Sequence, residues 1–140
     1  MTNQEYLEQT YRVDERIRDK KERIEDLRSL LTSIGSTDYS KDRVQTSPNN
    51  EASFAKIIAN IEALEQEIND DILKLVNLKA EISHAIDDVS DVNCSLVLSK
   101  RYILMKKWEQ IAKEMGYCVV QVYRIHDRAL EIFKIPKDVM

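Results

Sequence analysis

The chain has 140 residues, and 33% of them are charged. Its formal net charge is −4, and it contains only two glycines and two prolines. So few helix-breaking residues predict long helices, and the high charge is typical of exposed helix faces and coiled coils. The two cysteines, Cys94 and Cys118, form no CxxC pair, and only two histidines accompany them. Since a structural zinc site needs about four ligands at fixed spacing, we expect reduced thiols and neither a metal nor a cofactor.

The sequence also argues against two further classes of protein. A polar N-terminus and the lack of an apolar run long enough to span a bilayer predict a cytoplasmic protein with no signal peptide and no membrane contact. No Gly-rich phosphate loop, metal-ligand set or nucleophile beside a base is visible, so we do not expect an enzyme.

The charge is distributed unevenly. Residues 97–140 contain nine Lys or Arg against five Asp or Glu, whereas residues 1–96 contain twelve against twenty. A basic end on an acidic body is typical of a protein that meets nucleic acid through that end.

The first heptad pattern predicts a helix over residues 3–34. Its apolar residues recur at spacings of three, four or seven from Tyr6 onward, and Lys20 is the polar exception at which the seam should weaken. Gly35 is expected to end the helix as a left-handed cap. Residues 35–52 are rich in Ser, Thr, Asn and Asp and predict a long loop.

A second heptad pattern predicts a helix over residues 53–86, with Asp71 interrupting one track. The other track repeats every seven residues over five heptads, at Phe54, Ile61, Ile68, Leu75 and Ile82. We expect the two helices to fold back on each other as an antiparallel coiled-coil hairpin over residues 1–90. The extra width of the apolar stripe favours a homo-oligomer.

Residues 91–140 are predicted to form a three-helix helix-turn-helix domain, which makes the whole chain all-α. The first of these helices follows an acidic break that offers capping residues, and it spans about residues 93–105. The next two follow from apolar residues at helical spacing: Trp108, Ile111, Ala112 and Met115, then Val122, Ile125, Ala129 and Phe133. Gly116 lies between them, where the motif needs a turn that tolerates a positive φ.

The opposite face of the last helix is the candidate DNA-binding surface. In helix-turn-helix proteins the N-terminal residues of this helix contact base edges in the major groove. Gln121 can bridge an adenine, and Arg124 can pair with a guanine or a phosphate. Lys106 and Lys107 lie at the start of the preceding helix, where their positive charge favours contacts with DNA phosphates, and Lys100 adds to this charge. The predicted DNA-contacting residues are Val120, Gln121, Tyr123, Arg124 and Arg128, with Lys106, Lys107 and Arg101 beside them.

Three stretches carry a resemblance to a known family. They are the leucine-then-Arg-Tyr stretch at 98–102, the run Trp108-Glu109-Gln110-Ile111-Ala112, and the segment 126–130 that ends in Ala129-Leu130. With them, residues 96–133 resemble region 4 of bacterial sigma factors, the part that reads the −35 promoter element. Together with the acidic helical N-terminus and the segment DRVQTSP, the whole chain resembles small sigma-like regulators of Gram-positive phages and prophages. These are the ArpU/RinA-type late transcription regulators and a related phage family of uncharacterised function.

The resemblance implies a protein that binds double-stranded promoter or operator DNA and regulates phage genes together with RNA polymerase. By position, it implies base-reading roles for Val119, Val120, Gln121, Tyr123 and Arg124. Cys118 stands where sigma factors place a Ser or Thr cap, and Val119 and Val120 stand where they place charged residues. Apolar contact with thymine methyls would then replace hydrogen bonds, at low affinity. No segment like the one that binds the −10 element is visible, so we do not expect a complete sigma factor.

Two other functions stay open. A phage DNA-packaging protein, such as a small terminase subunit, also joins a helix-turn-helix to coiled-coil helices but assembles into rings. A protein-interaction module that does not bind DNA is favoured by the loss of polar residues at Val119 and Val120. Mass in solution tests the first alternative, and the salt dependence of DNA binding tests the second.

Overall fold

A computed structural model describes residues 1–40 and 48–136 of the chain. All the regular structure in these residues is helical, which confirms the all-α class. The α-helices are α1 (Asn3–Ser40), α2 (Pro48–Asp87), α3 (Val92–Leu98), α4 (Trp108–Met115) and α5 (Val119–Ile132), and a π-helical segment follows α3 at Ser99–Ile103. None of the helices in this part of the chain is long and apolar enough to cross a membrane.

Both long helices extend beyond the ends predicted for them. α1 continues through Gly35 to Ser40, so the prediction that this glycine ends the helix is wrong. One glycine inside a helix costs only about 1 kcal/mol relative to alanine, which a long helix tolerates. α2 begins at Pro48, whose fixed φ and missing N–H suit the first turn of a helix. The predicted loop over 35–52 is therefore helical at both ends, and its centre lies outside the described residues.

The packing divides the chain into two compact units, and neither boundary lies at residue 90. One unit contains residues 1–14 and 74–140, and the other contains residues 15–73. The sequence predicts a hairpin over 1–90 and a separate domain over 91–140, so the two divisions differ. The physical reason is that a heptad pattern locates a helix but does not show which core each end of that helix joins.

The described residues of the unit 15–73 belong to α1 from residue 15 to its C-terminal end and to α2 from its N-terminal end to residue 73. Their ion pairs follow an antiparallel order: Lys20 contacts Asp71 at 2.6 Å, and Arg28 contacts Glu65 at 3.7 Å. The buried apolar residues of this unit are isoleucines at heptad positions, namely Ile17 and Ile24 on α1 and Ile61 and Ile68 on α2. Within this unit, residues later in α1 therefore lie beside residues earlier in α2.

In the other unit, one core joins the first turns of α1 to the last turns of α2 and to the C-terminal helices. Its buried residues are Tyr6, Leu7, Ile82, Ala85, Ile86, Cys94, Leu98, Tyr102, Ala129 and Phe133. The rings of Tyr6 and Phe133 stack with their centroids 5.9 Å apart. The Asn3 side-chain amide donates to the carbonyl oxygens of Leu130 and Phe133, both at 2.8 Å. The N-terminal residues therefore satisfy carbonyl groups that the end of α5 would otherwise leave unpaired.

The helix predicted over residues 93–105 is divided into α3 and the π-helical segment. The N–H of Leu104 donates to the Ser99 carbonyl, and the N–H of Lys106 donates to the Lys100 carbonyl, each at 3.0 Å. Met105, between these two donors, has a φ of 55°. Such a bond across a left-handed residue ends a helix and redirects the chain. This reversal leads directly into α4.

Candidate nucleic-acid interface

A tight connection positions α5 against α4. Gly116 ends α4 with φ 75° and ψ 28°, the left-handed conformation that its position in the sequence predicts. The N–H of Tyr117 donates to the Ala112 carbonyl at 3.0 Å and closes the turn. A small core then fixes the angle between α3, α4 and α5, and its buried residues are Val97, Ile111, Ala112 and Val122.

α5 has one buried face and one exposed face. Val122, His126 and Ala129 are buried on the inner side. Because each residue rotates the helix by about 100°, Arg124 lies at the middle of the opposite side. Its exposed neighbours on that side are Val120, Gln121, Asp127, Arg128 and Glu131. We call this set, with Arg124, the outer face of α5; its six residues are one amide, two arginines, two acidic residues and one valine.

The structure places most of the predicted base-contacting residues on or beside the outer face. Val120 is 57% exposed and Tyr123 is 44% exposed, while Gln121 and Arg124 are also exposed. Val119 differs, because it is half-buried against the core formed by α3, α4 and α5. Of the two valines, only Val120 therefore presents its side chain fully to a ligand.

Trp108 links Tyr123 to the interior of this unit. Its ring packs edge-on against Tyr123, with 5.2 Å between centroids, and edge-on against His126, with 4.8 Å. The Tyr102 hydroxyl and Nε2 of His126 are 2.7 Å apart and form a buried hydrogen bond. Burial lowers the pKa of His126, although the nearby Asp127 carboxylate opposes this shift. His126 therefore belongs to the core, where its neutral form is favoured.

Arg101 is held by the protein itself. Its guanidinium carbon lies 4.4 Å from the ring centroid of Trp108 and 5.1 Å from that of Tyr11. Its Nη1 donates to the Lys106 carbonyl at 3.0 Å, and its own carbonyl accepts from the Tyr11 hydroxyl. The predicted phosphate contact by Arg101 has no support from this geometry, because the guanidinium is stacked on aromatic rings instead.

The two lysines before α4 have different surroundings. Lys107 is exposed and directly precedes the first residue of α4. The ammonium of Lys106 donates to both carboxylate oxygens of Glu114, at 2.7 and 2.9 Å, and Lys100 donates to the same carboxylate at 2.7 Å. Hydrogen bonds from Lys100 and Lys106 lower the pKa of Glu114 to about 2. Lys107 is thus available to a ligand, whereas Lys106 already has an anionic partner.

Arg128 is exposed but lies near a carboxylate. Its Nη2 is 3.6 Å from Asp91, and its side chain is 70% exposed. Asp91 also caps α3, since its carboxylate accepts from the N–H of Cys94 at 3.1 Å. This hydrogen bond is the main reason why the pKa of Asp91 is lowered. The acidic break before α3 thus supplies the cap that the sequence predicts, together with an ionic partner for α5.

Sequence reasoning missed Glu114 and Asp91 as partners of the predicted basic residues. Asp91 is recognisable as a cap, but only packing brings Arg128 to it. Glu114 lies one helical turn after Gln110, and nothing in the sequence joins it to Lys100. No group of His, Cys, Asp and Glu residues in the described part of the chain is suited to hold a metal ion.

Comparisons of the chain with models of known protein families, with curated proteins and with solved structures find no match. The resemblance to sigma factor region 4 therefore stays a prediction from three short stretches of sequence. What supports a function is the geometry of α4, α5 and the residues around them.

Proposed function

We propose that α3, α4 and α5 form a helix-turn-helix unit that binds double-stranded DNA with α5 in the major groove. On this proposal the protein is a non-catalytic regulator of phage or prophage genes in a bacterial cytoplasm, and RNA polymerase is its second partner. The observation that carries the proposal is the outer face of α5, where Gln121 and Arg124 project from the first two turns after the tight turn and Arg128 projects one turn further on.

The order of residues along α5 suits this mode of binding. Val120, Gln121 and Arg124 lie in its first two turns, the part that reaches base edges when such a helix enters the groove. Arg124 can pair with guanine, Gln121 with adenine, and Val120 with a thymine methyl group. Asp127 and Glu131 lie further along the helix, away from its N-terminal end. Their negative charge opposes deep insertion of the second half of α5.

A dimer would give such a module useful affinity. Within the unit of residues 15–73, α2 exposes Ile58, Ile72 and Leu73, of which Leu73 is 61% exposed. Large apolar side chains at such positions suit a second copy of the chain. Two weak DNA contacts that are joined in this way reinforce each other, because the second contact becomes intramolecular.

The test is recovery and sequencing of fragments that the protein binds from sheared host and prophage DNA, at low and moderate salt. We expect enrichment of a discrete site upstream of an operon. The double substitution Arg124→Ala and Gln121→Ala should abolish that enrichment. The matched control makes the same two changes at exposed positions of the long helices, Arg16→Ala and Gln66→Ala. Unchanged enrichment in the outer-face variant would contradict the proposal.

A protein-interaction module is the second candidate. The exposed Val120 and Tyr123 and the acidic Asp127 favour it, because they suit a protein partner as well as DNA. DNA binding that weakens steeply with salt would argue against it, since phosphate contacts release counterions. Light scattering addresses the packaging alternative: a ring of about eight or more subunits would favour packaging, whereas a dimer fits regulation.

A further inference from the structure

Lys100, Lys106 and Gln110 converge on a single carboxylate. Both ammonium groups lie 2.7 Å from the same oxygen of Glu114, and Lys106 also reaches the second oxygen at 2.9 Å. The amide of Gln110 donates to that second oxygen at 3.1 Å. Two positive charges approach each other this closely only when an anion lies between them. The three donors therefore form an anion-binding arrangement, which we call the lysine pocket.

We propose that the lysine pocket is a binding site for a phosphodiester group, and that the Glu114 carboxylate occupies it in the free protein. A phosphodiester resembles a carboxylate in carrying one negative charge over two unesterified oxygens. The donors that meet Glu114 are thus suited to a DNA phosphate as well. When a phosphate enters, the carboxylate would leave the pocket for water.

The position of the pocket matches the DNA-binding arrangement. In helix-turn-helix proteins the helix before the recognition helix crosses the phosphate backbone. Here that helix is α4, which contains Gln110 and Glu114, and the two lysines come from the segment just before it. Since it rests on the proposed function, this inference adds a backbone contact to the base contacts of α5.

Exchange of the carboxylate for a phosphate is feasible because the pocket is open to solvent. The side chains of Lys100, Lys106 and Glu114 are 20, 24 and 29% exposed. Ion pairs in contact with water are weak, so a phosphate can compete with one. An internal competitor of this kind would reduce binding to DNA of random sequence, because every duplex has the same backbone.

The experiment measures the affinity of the full chain for a random-sequence duplex over a range of salt concentrations. Removing the competitor with Glu114→Gln should raise the affinity at low salt about threefold or more over the wild type. The matched control is Glu109→Gln, which makes the same charge change at another exposed position of α4. Glu109→Gln should raise the affinity for the duplex clearly less than Glu114→Gln does. Equal effects of the two substitutions would overturn the proposal.

A second set of variants tests whether the lysines are responsible. In the Glu114→Gln background, Lys100→Gln and Lys106→Gln together should remove the gain and reduce the slope of log affinity against log salt by about two. If Glu114→Gln still raises the affinity for the duplex after both lysines are replaced, the proposal is overturned. Circular dichroism melting of each variant shows that the fold is intact.

A titration with pyrophosphate tests the lysine pocket independently of whether the protein binds DNA. Lysine nitrogen resonances of the Glu114→Gln variant should shift for Lys100 and Lys106 at pyrophosphate concentrations that leave the wild type unchanged. If they shift and no duplex binds at any salt, the lysine pocket stands and the DNA-binding proposal fails. If specific DNA binding is present while Glu114→Gln changes neither affinity nor these resonances, the DNA-binding proposal stands and the pocket fails.

Discussion

Lys20 of α1 and Asp71 of α2 form an ion pair across the two long helices, with 2.6 Å between ammonium and carboxylate. Each residue interrupts the apolar seam of its own helix. Asp71 is 4% exposed, and Glu67 supplies a second carboxylate 3.3 Å from Lys20. The hydrogen bond to Asp71 is the main reason why the pKa of Lys20 is raised. The pair favours one alignment of the helices, because a shifted register would bury a charge without its partner.

Removing either partner of this pair should destabilise the protein more than removing both. Lys20→Leu alone leaves the buried Asp71 carboxylate in an apolar seam and should lower the melting temperature by more than about 5 °C. Asp71→Leu alone leaves Lys20 beside the Glu67 carboxylate at 3.3 Å, so its loss should be smaller. The double substitution should recover most of the loss caused by Lys20→Leu, since two leucines continue the seam. Thermal melting followed by circular dichroism measures all three variants. The control is Arg23→Leu, which breaks an exposed pair with Asp19 and should have little effect. Additive losses in the double variant would contradict the prediction.

His126 should make stability depend on pH. Burial lowers its pKa in the folded protein, so the unfolded chain takes up a proton at a higher pH than the folded chain does. The contribution of neutral His126 is complete above the ordinary value of 6.5 and is lost as the pH falls below it. The melting temperature should therefore drop between about pH 7.5 and pH 5.5, and His126→Gln should reduce that drop.

The other histidine supplies the control for this prediction. The chain contains two histidines, and His84 is exposed on α2. His84→Gln should leave the drop in melting temperature as it is in the wild type. If His126→Gln and the wild type lose stability in parallel over this pH range, burial of His126 is not the cause.

The two cysteines should respond in opposite directions to the same substitution. Cys118 is the N-cap residue of α5, and its side chain makes no capping hydrogen bond. Cys118→Ser supplies an oxygen acceptor there and should raise the free energy of unfolding by about 0.5–1 kcal/mol. Cys94 is 1% exposed in the core, so Cys94→Ser should lower that free energy by about 1–3 kcal/mol, because it buries a hydroxyl. Urea denaturation measures both; a loss of stability in Cys118→Ser would show that the cap is not limiting.

Asp91→Asn should strengthen DNA binding if the proposed function is correct. Asparagine still accepts a hydrogen bond and caps α3, but it no longer attracts Arg128, whose guanidinium lies 3.6 Å away. Affinity for a duplex at low salt should rise about twofold to threefold. The control is Asp88→Asn, an equal charge change at an exposed residue. Identical rises in both variants would mean that net charge, and not Arg128, is responsible.

Periodicity in the sequence was enough to predict the helices and the faces of α5. Spacings of three and four identified Val122 and Ala129 as buried and Gln121 and Arg124 as exposed, whereas burial of His126 could not be predicted from the spacing of apolar residues. Gly116 marked a turn because its conformation is local. Helix ends were less predictable: Gly35 lies inside a helix, because one glycine costs only about 1 kcal/mol relative to alanine there.

Whether a predicted binding residue is already occupied by a neighbouring side chain could not be judged without the packing. Arg101 is one of several basic residues in the sequence, and only the structure shows it stacked between Tyr11 and Trp108. Likewise, only the structure shows that Lys106 forms an ion pair with Glu114. A positive charge is visible in the sequence, whereas its availability depends on neighbours from other elements.

By itself the sequence determined that the protein is all-helical, where the apolar stripes run and where α5 turns away from α4. Each of these depends on residues within a few positions of one another. Only the tertiary structure decided that Lys20 pairs with Asp71, that Glu114 binds two lysines, and that Asn3 bonds to the end of α5. These contacts join residues far apart in the chain, and side-chain packing rather than local spacing selects them.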